Sequence, residues 1–465
     1  MRRIVFVAVI LYVSRPAVAA DMSGLSAAVD AVLSHNSGMK AAQAQVRQAE
    51  AGQREAQAMR LPMLSARSQA TRGDNPVYVF GSLMEQGRFG PENFAIDQLN
   101  HPGDLTNIQS GLDLGVPLFT GFELTSAARL SELAQSQARN GYEGTAQQLR
   151  FQAASLYLQL MFDRDVLKSL DERISVSDNE VADARKLKEK GVVFGSDYYA
   201  AEAIYGGLKG WRIQVQTDQT AALSKLALLS GREDWQPKES MTDKTLPVDT
   251  KANLETAALL KRPDLLAAAS QVSMAEVNRR QANRSLLPKV QAFASLETNT
   301  NDFSSNPSNH TFGVSAKLPF GDPAYFARQS RSLAAQESAE ESRKELEESI
   351  RIEVAQAYDA YQGALAALPV AKDTLDRAAK SLDLFRPLYH SGRQSIIEVL
   401  RAEEGLAKAQ TAYLQALFQA HTSYLRLQAT AGSLDEKAID QVSQLISATK
   451  TLADPPSRSG GEVHL

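Results

Sequence analysis

The sequence predicts a mainly α-helical protein with a small β portion, built from two duplicated halves. Leu61-Pro62 recurs 226 positions later as Leu287-Pro288, and Gly191 recurs 201 positions later as Gly392. In each copy, short segments of alternating polarity precede a long stretch suited to a single helix. This period far exceeds the ~20 to 50 residues of a solenoid unit, so each copy should be one large structural half. The predicted order is a first repeat at 21–230, an inter-repeat equatorial segment at 231–261, a second repeat at 262–432 and a C-terminal equatorial segment with a disordered tail at 433–465.

The N-terminal segment is typical of a secretory signal. Two arginines follow Met1, an apolar run covers Ile4 to Val13, and small residues fill positions 17–20. This order of charge, short apolar run and small-residue cleavage site predicts removal of residues 1–20. The alternative is a retained membrane anchor, but the run is shorter than the ~20 residues that a spanning helix needs. We therefore expect the protein to be exported.

The composition argues against several functional classes. The chain has no cysteine and a formal charge of -4, which becomes about -7 once the three arginines of residues 1–20 are removed. An exported chain of this kind makes neither disulfides nor thiolate metal sites, and its charge gives no reason to expect nucleic acid. The six histidines match no His-Glu-x-x-His spacing, and there is no Gly-x-Ser-x-Gly motif. We expect no catalytic residue, metal or cofactor.

Four β-strands are predicted in two hairpins. In the second copy Val290, Ala292 and Ala294 alternate with polar neighbours, which is the period of a strand with one apolar face. Strands of about ten residues with this alternation, in an exported chain, favour a membrane β-barrel. The long connection in the first hairpin, from about Gly73 to Gly103, is rich in glycine and proline and is expected to be an external loop. The predicted strands are about 62–72, 105–119, 288–300 and 311–320.

A long helix follows each hairpin, at about 123–190 and 324–390. Apolar residues in the first recur with the heptad spacing of a supercoiled seam. Pro369 lies inside the second, where we expect a kink or local unwinding. The seam residues are Leu149, Leu156, Leu160, Leu167, Leu170, Ile174 and Val181.

Each long helix is expected to end at a glycine, before a returning helix. Gly191 follows basic residues and Gly392 lies at the matching position, as at many helix C-termini. Ser196 or Asp197 can cap the first returning helix. Each copy therefore ends in a helical hairpin with a defined tip.

Four strands per chain imply assembly. Small closed barrels need about eight strands, and an open strand edge in lipid leaves backbone groups unpaired at a cost of several kcal/mol each. Three chains would supply twelve strands and a water-filled pore. The same symmetry would place three sets of long helices in a ring continuous with it.

This order of elements, together with local motifs, resembles the TolC-type outer-membrane efflux protein family. The motifs are Val116-Pro117-Leu118-Phe119-Thr120-Gly121 at the end of the second strand and Lys261-Arg262-Pro263-Asp264-Leu265 at the start of the second copy. The resemblance implies a homotrimer with a twelve-stranded barrel in outer-membrane lipid, continuous with a periplasmic α-helical barrel. It also implies a passive duct for efflux or type I export, opened by a periplasmic adaptor and energised by an inner-membrane pump.

The resemblance carries over to particular residues at the tips. It places the adaptor contacts at the turns and the constraints of a periplasmic gate beside them. Glu398 falls where a ring of carboxylates lines the constriction, and such rings set ion selectivity in pores. Arg401 departs from the family's second acidic ring, and the alternative is a simple helix-face pair between Glu398 and Arg401. The expected adaptor-contacting residues are Gly191, Gly195, Gly392 and Arg393, and the expected gate residues are Asp197, Tyr389, Glu398 and Arg401.

Aromatic residues follow the second strand of each hairpin. Such rings suit a membrane-interface girdle, although any one of them could equally belong to an ordinary core cluster. The residues are Phe119, Phe122, Phe320, Tyr325 and Phe326.

A periplasmic coiled-coil scaffold without transport activity is the second functional reading. It would use the same long helices for protein binding. The four alternating strands argue against it, because a scaffold has no need of lipid-facing hairpins.

Overall fold

A computed structural model describes residues 24–302 and 308–447. The predicted signal segment at 1–20 and the predicted disordered tail after Ala453 lie outside the described residues. The described chain is mainly helical with one small sheet, so that part of the predicted fold class is confirmed. No helix among these residues combines the length and the apolar character needed to cross a membrane.

The elements follow one another in the same order in both copies. A helix, a β-hairpin, a long helix and a returning helix appear twice, with a short helix before the second copy and another at the end. The bounds are α1 Leu25–His35, α2 Ser37–Ala58, β1 Met63–Gly73, α3 Pro76–Glu85, a 3-10 helix Pro91–Phe94, α4 Ile96–Asn100, β2 Leu105–Thr120, α5 Glu123–Glu189, α6 Gly195–Ser230, α7 Lys251–Lys261, α8 Pro263–Asn283, β3 Lys289–Thr300, β4 Ser308–Lys317, α9 Tyr325–His390, α10 Ile396–Thr430 and α11 Glu436–Ser447.

The chain divides into two compact units, and neither coincides with one sequence repeat. The sheet unit contains Lys40–Gly144 and Leu259–Ile350, and it therefore draws one β-hairpin from each copy. The helical unit contains Thr145–Ala258 with the described residues up to Met39 and from Arg351 onward. The duplicated halves are interleaved, because each unit takes matching parts of both.

The sheet has the order β1-β2-β3-β4, and every neighbouring pair is antiparallel. Leu64, Leu114, Ala294 and Phe312 lie side by side across the four strands. Since successive side chains point to opposite faces, these residues share one face, called the apolar face here. The residues between them form the polar face, with Ser65, Arg67, Gln109, Asp113, Ser295, Glu297 and Asn299. The outer edges of β1 and β4 have no strand partner within the described chain.

The segment between β1 and β2 is more ordered than the predicted external loop, because it contains α3, the 3-10 helix and α4. The Oδ1 atom of Asn75 accepts hydrogen bonds from the backbone N–H groups of Val77 (3.1 Å) and Tyr78 (3.3 Å). Pro76 follows at the first helical position, which suits its fixed φ. Asn75 and Pro76, near the start of the predicted loop, therefore form a helix N-terminus.

The expectation of local unwinding at Pro369 is wrong, whereas a kink there stays a prediction. Helix α9 continues through Pro369 and also through Pro387. A proline removes one hydrogen bond, whereas packing of an apolar stripe supplies most of the stability of a long helix. Tyr361, Leu368 and Leu382 of α9 are buried on either side of Pro369 and provide that packing.

Candidate functional site

Two helical hairpins of the helical unit end in tips with the same backbone geometry. Gly191 and Gly392 have φ values of +75° and +70°. Each donates its N–H to the carbonyl three residues earlier (2.9 and 2.9 Å), and the next residue donates to the carbonyl five residues before itself (2.9 and 2.9 Å). This is a Schellman C-cap, which favours glycine because a Cβ is strained in the left-handed region. The duplicated glycines therefore mark duplicated turns.

The two tips differ in the side chains that they expose. The first presents Val192 and Phe194, which are 68% and 79% exposed. At the second tip the corresponding residues are Arg393, which is exposed, and Ser395, which is partly buried, and Gln394 between them is also exposed. One tip is therefore apolar and the other polar.

The start of α6 differs from the prediction. The helix begins at Gly195, with Phe194 at the N-cap and no side-chain cap, so the expected capping by Ser196 or Asp197 is wrong. At the second tip Ser395 is the N-cap, and its hydroxyl accepts a hydrogen bond from the Ile397 N–H at 3.2 Å. The two returning helices start differently because only the second copy has a hydroxyl residue at the capping position.

Two predicted gate residues and two predicted adaptor-contacting residues line one groove between the two tips. The groove has a volume of about 730 Å³ and includes Asp197, Tyr389, Gly392 and Arg393. Tyr389 also packs against two buried apolar clusters, one around Ile396 and Leu400 and one around Val399. Gly191 and Gly195 lie in the adjoining turn but do not line the groove.

Glu398 and Arg401 line a separate groove of about 640 Å³. Nη1 of Arg401 is 2.9 Å from Oε1 of Glu398, and the two side chains are 63% and 40% exposed. The helix-face pair that the sequence left as an alternative is therefore present in the single chain. An exposed pair of this type stabilises by only about 0 to 1 kcal/mol, so it can re-form with other partners.

A buried charge cluster lies farther along the second hairpin. Glu403 is fully buried, and its Oε2 lies 3.2 Å from Nη1 of Arg173, while its other oxygen accepts a short hydrogen bond from Nη2 of Arg386. Glu202, the matching residue of the first copy, pairs with Arg185 at 3.4 Å and is 37% exposed. The duplication has thus produced one exposed and one buried ion pair. Sequence reasoning missed this cluster as a site, although Ala201-Glu202 recurs as Ala402-Glu403 at the 201-position offset.

Glu180 belongs to the same cluster. Its Oε2 atom is buried without a hydrogen-bond partner among the described residues. The pKa of Glu180 is raised to about 7, first by burial and then by the charge of Glu403, while Arg386 and Arg173 act in the opposite direction. Burial also raises the pKa of Tyr389, with Glu180 and Asp183 contributing.

Replacing Glu180 with glutamine should change how stability depends on pH. The folded pKa lies near 7 and the ordinary value is 4.5, so the folded chain keeps a proton that the unfolded chain releases. The stabilising contribution is therefore complete below pH 4.5 and is lost as the pH rises to about 7. Glu180→Gln is neutral at every pH and should raise the free energy of unfolding by about 2 kcal/mol above pH 7.

Thermal unfolding at a series of pH values would test this expectation. Glu189→Gln on the exposed side of α5 is the matched control and should follow the parent protein. Parallel pH curves for Glu180→Gln and the parent would contradict the assignment.

The predicted interface aromatics lie in the sheet unit. Phe119 and Phe122 pack edge to face with centroids 5.4 Å apart, as do Tyr325 and Phe326 at 5.3 Å. Phe320 is 87% exposed. Their place at a membrane interface stays a prediction.

The described residues contain no group of three or more histidine, aspartate or glutamate side chains placed to hold a metal ion. His421 is buried, with Nε2 3.0 Å from the Thr242 carbonyl oxygen. Burial lowers its pKa. Its position is that of an ordinary packed histidine.

Known proteins share both the sequence pattern and the fold. Residues 28–232 and 254–433 match the family model described as "Outer membrane efflux protein". The outer membrane efflux protein BepC of Brucella suis is 22% identical over 401 residues, which is 82% of this chain and 85% of BepC. The CmeC outer membrane channel of Campylobacter jejuni has a TM-score of 0.77 at 15% identity, covering 91% of this chain and 90% of CmeC. The outer membrane protein VceC of Vibrio cholerae gives 0.74 at 16% identity, covering 88% and 97%.

Proposed function

Because this chain belongs to the outer membrane efflux protein family, whose members lie in the outer membrane and extend into the periplasm, we propose that three copies form a passive export duct. An inner-membrane pump supplies the energy, and a periplasmic adaptor docks on the helical tips and opens them. Solutes then leave the cell through a twelve-stranded barrel. The family is one of transport proteins, and the proposed role needs no catalytic step.

The observation that carries this proposal is the two-sided, open sheet. One face carries Leu64, Leu114 and Phe312, and the other carries Arg67, Asp113 and Glu297. Lipid suits the first face and water the second, which is the pattern of membrane barrels. The edges of β1 and β4 must be paired in lipid, because each unsatisfied backbone group costs several kcal/mol there. Joining β4 of one copy to β1 of the next satisfies both edges.

Cross-linking tests the assembly directly, because the natural chain has no cysteine. Leu64→Cys on β1 would be combined in turn with a cysteine at Phe312, Val314 or Ala316 of β4, all on the apolar face. At least one pair should form disulfides between subunits and give a covalent trimer on a non-reducing gel. Leu64→Cys with Leu296→Cys on the inner strand β3 is the control and should give none. Purified trimers should form channels in planar bilayers, and a folded monomer without channel activity would refute the proposal.

The charge at the proposed gate gives a second test. If Glu398 of three copies converges on the axis, Glu398→Ala leaves three Arg401 side chains and should shift the channel toward anions. Arg401→Ala leaves the carboxylates and should shift it toward cations. Reversal potentials in a salt gradient measure both variants. Unchanged ion selectivity in both variants would show that Glu398 and Arg401 do not line the constriction.

The alternative is a periplasmic scaffold that uses the helical hairpins only for protein binding. The apolar face of the sheet argues against it, since Leu64 and Phe312 would then be left in water at 67% and 79% exposure. Membrane fractionation separates the two readings. Release by salt or carbonate without detergent favours the scaffold.

A further inference from the structure

The segment between β1 and β2, residues 74–104, folds back onto the sheet instead of standing clear of it. Helix α3 contacts β2 and β3. Val79, Ser82 and Gln86 are buried, at 6%, 4% and 3% exposure. Their spacing of three and four residues places them on the side of the segment that faces the sheet. We call residues 74–104 the inward segment.

Hydrogen bonds identify the face on which the inward segment lies. Nε2 of Gln86 donates to Oδ1 of Asn107 at 3.0 Å and to the Thr106 carbonyl at 3.0 Å. Nδ2 of Asn107 in turn donates to Oδ1 of Asn299 at 2.8 Å. Both asparagines belong to the polar face, and both are buried. The inward segment therefore covers the polar face of the sheet.

This attachment is part of a larger polar network. Asn299 and Gln109 both donate to Oε1 of Glu297, at 2.8 and 2.7 Å, and Arg67 donates to its other oxygen at 2.7 Å. At the start of the segment the Tyr78 hydroxyl donates to the Thr71 carbonyl at 2.7 Å. The two buried hydrogen bonds of this network, which join Asn107 to Gln86 and to Asn299, are costly to break, because the separated groups lose their partners. The segment is thus fixed in place at both ends of α3.

The opposite side of the inward segment is apolar and uncovered. Val77 and Met84 are 82% and 57% exposed. At 100° per residue they lie roughly opposite Val79 and Gln86, so they point away from the sheet. Ile96 of α4 is a third exposed apolar side chain of the inward segment, at 77% exposure. Exposed apolar side chains of this kind often mark a contact surface.

We propose that the inward segments of three copies narrow the outer mouth of the duct and meet one another through Val77, Met84 and Ile96. This inference rests on the proposed function, because the polar face encloses a passage only when the sheets close into a ring. The occupant of the apolar surface is then the same surface of the neighbouring copies. The result is a narrow apolar mouth, which admits small solutes and slows the passage of bulky hydrophilic ones.

Access from outside the cell tests the proposal without depending on the periplasmic gate. Ser65→Cys places a reporter thiol on the polar face, far along β1 from the inward segment. A bulky, membrane-impermeant polyethylene glycol maleimide is added to intact cells, alongside a small charged methanethiosulfonate. In the parent background the small reagent should label Ser65→Cys, and the bulky reagent should label it slowly or not at all.

Two variants open the mouth in different ways. The first replaces residues 75–103 with an Asn-Gly turn, and the second keeps the segment but carries Val77→Ser, Met84→Ser and Ile96→Ser. Either should increase the bulky-reagent labelling rate of Ser65→Cys severalfold. The second variant keeps the test valid if the deletion does not fold. Leu64→Cys, on the apolar face, is the matched control and should remain unlabelled throughout.

Equal bulky-reagent labelling in the parent and both variants would overturn the constriction. If trimers are still found by cross-linking, the proposed duct survives that result. If even the small reagent fails to label Ser65→Cys, the polar face does not line the passage. That result would contradict both the proposed constriction and the proposed duct.

Discussion

Replacing Glu403 with alanine is expected to lower the free energy of unfolding of the helical unit by about 3 to 5 kcal/mol. Glu403 is fully buried between Arg173 and Arg386, and the Arg173 side chain is only 19% exposed. Removing the carboxylate leaves two nearby guanidinium groups that repel each other and lack their hydrogen-bond acceptor. Loss of one partner from a buried pair is far more costly than loss of an exposed pair.

The duplicated chain supplies its own control for this experiment. Glu202→Ala removes the equivalent carboxylate from an exposed pair, so it should cost about 0 to 1 kcal/mol. The two variants are compared by thermal unfolding of the detergent-solubilised protein. The loss of the helical circular-dichroism signal reports the unfolding. Equal losses at the two positions would show that the burial of Glu403 has no energetic consequence.

Replacing Phe194 with aspartate is expected to abolish coupling to the adaptor in the proposed assembly. Phe194 is 79% exposed at the first tip, beside the exposed Val192. Burial of a phenylalanine side chain is worth about 1.5 to 3 kcal/mol, and a carboxylate there would have to be desolvated. At 1.4 kcal/mol for each tenfold change, an affinity loss of about a hundredfold follows.

Co-purification with the adaptor after mild cross-linking, and efflux by cells carrying the variant, would measure this loss. Gln394→Asp at the polar second tip adds the same charge without removing an apolar contact, so its effect should be small. Trimer formation and bilayer conductance should not change in either variant. Normal adaptor recovery with Phe194→Asp would exclude the apolar tip as a docking surface.

Local signals in the sequence account for most of the fold. Alternating polarity placed the strands, the heptad spacing of apolar residues marked α5, and Gly191 and Gly392 marked the turns. These signals act over a few residues, so they can be read without knowing the tertiary structure. The short helices between β1 and β2 were missed because their stability depends on packing against the sheet through Gln86 and Asn107, which are 21 positions apart.

The candidate site was harder to predict because its central contact is distant in sequence. Glu202 and Glu403 stand in the same Ala-Glu pair of the two copies. Glu403 reaches Arg173 across 230 positions. The residue that the 201-position offset matches to Arg173 is Thr374, so the other hairpin lacks a second arginine. This difference accounts for the second arginine partner of Glu403, which Glu202 does not have among the described residues.

The outer edges of β1 and β4, which have no strand partner among the described residues, have a genetic consequence if the proposed trimer forms. In the proposed closed ring, every subunit relies on both of its neighbours to complete its backbone hydrogen bonds. A copy with one damaged edge would still join through the intact edge and would leave a gap in a ring made otherwise of sound subunits. Mutant alleles of this class should therefore be dominant when co-expressed with the natural gene, whereas null alleles should be recessive.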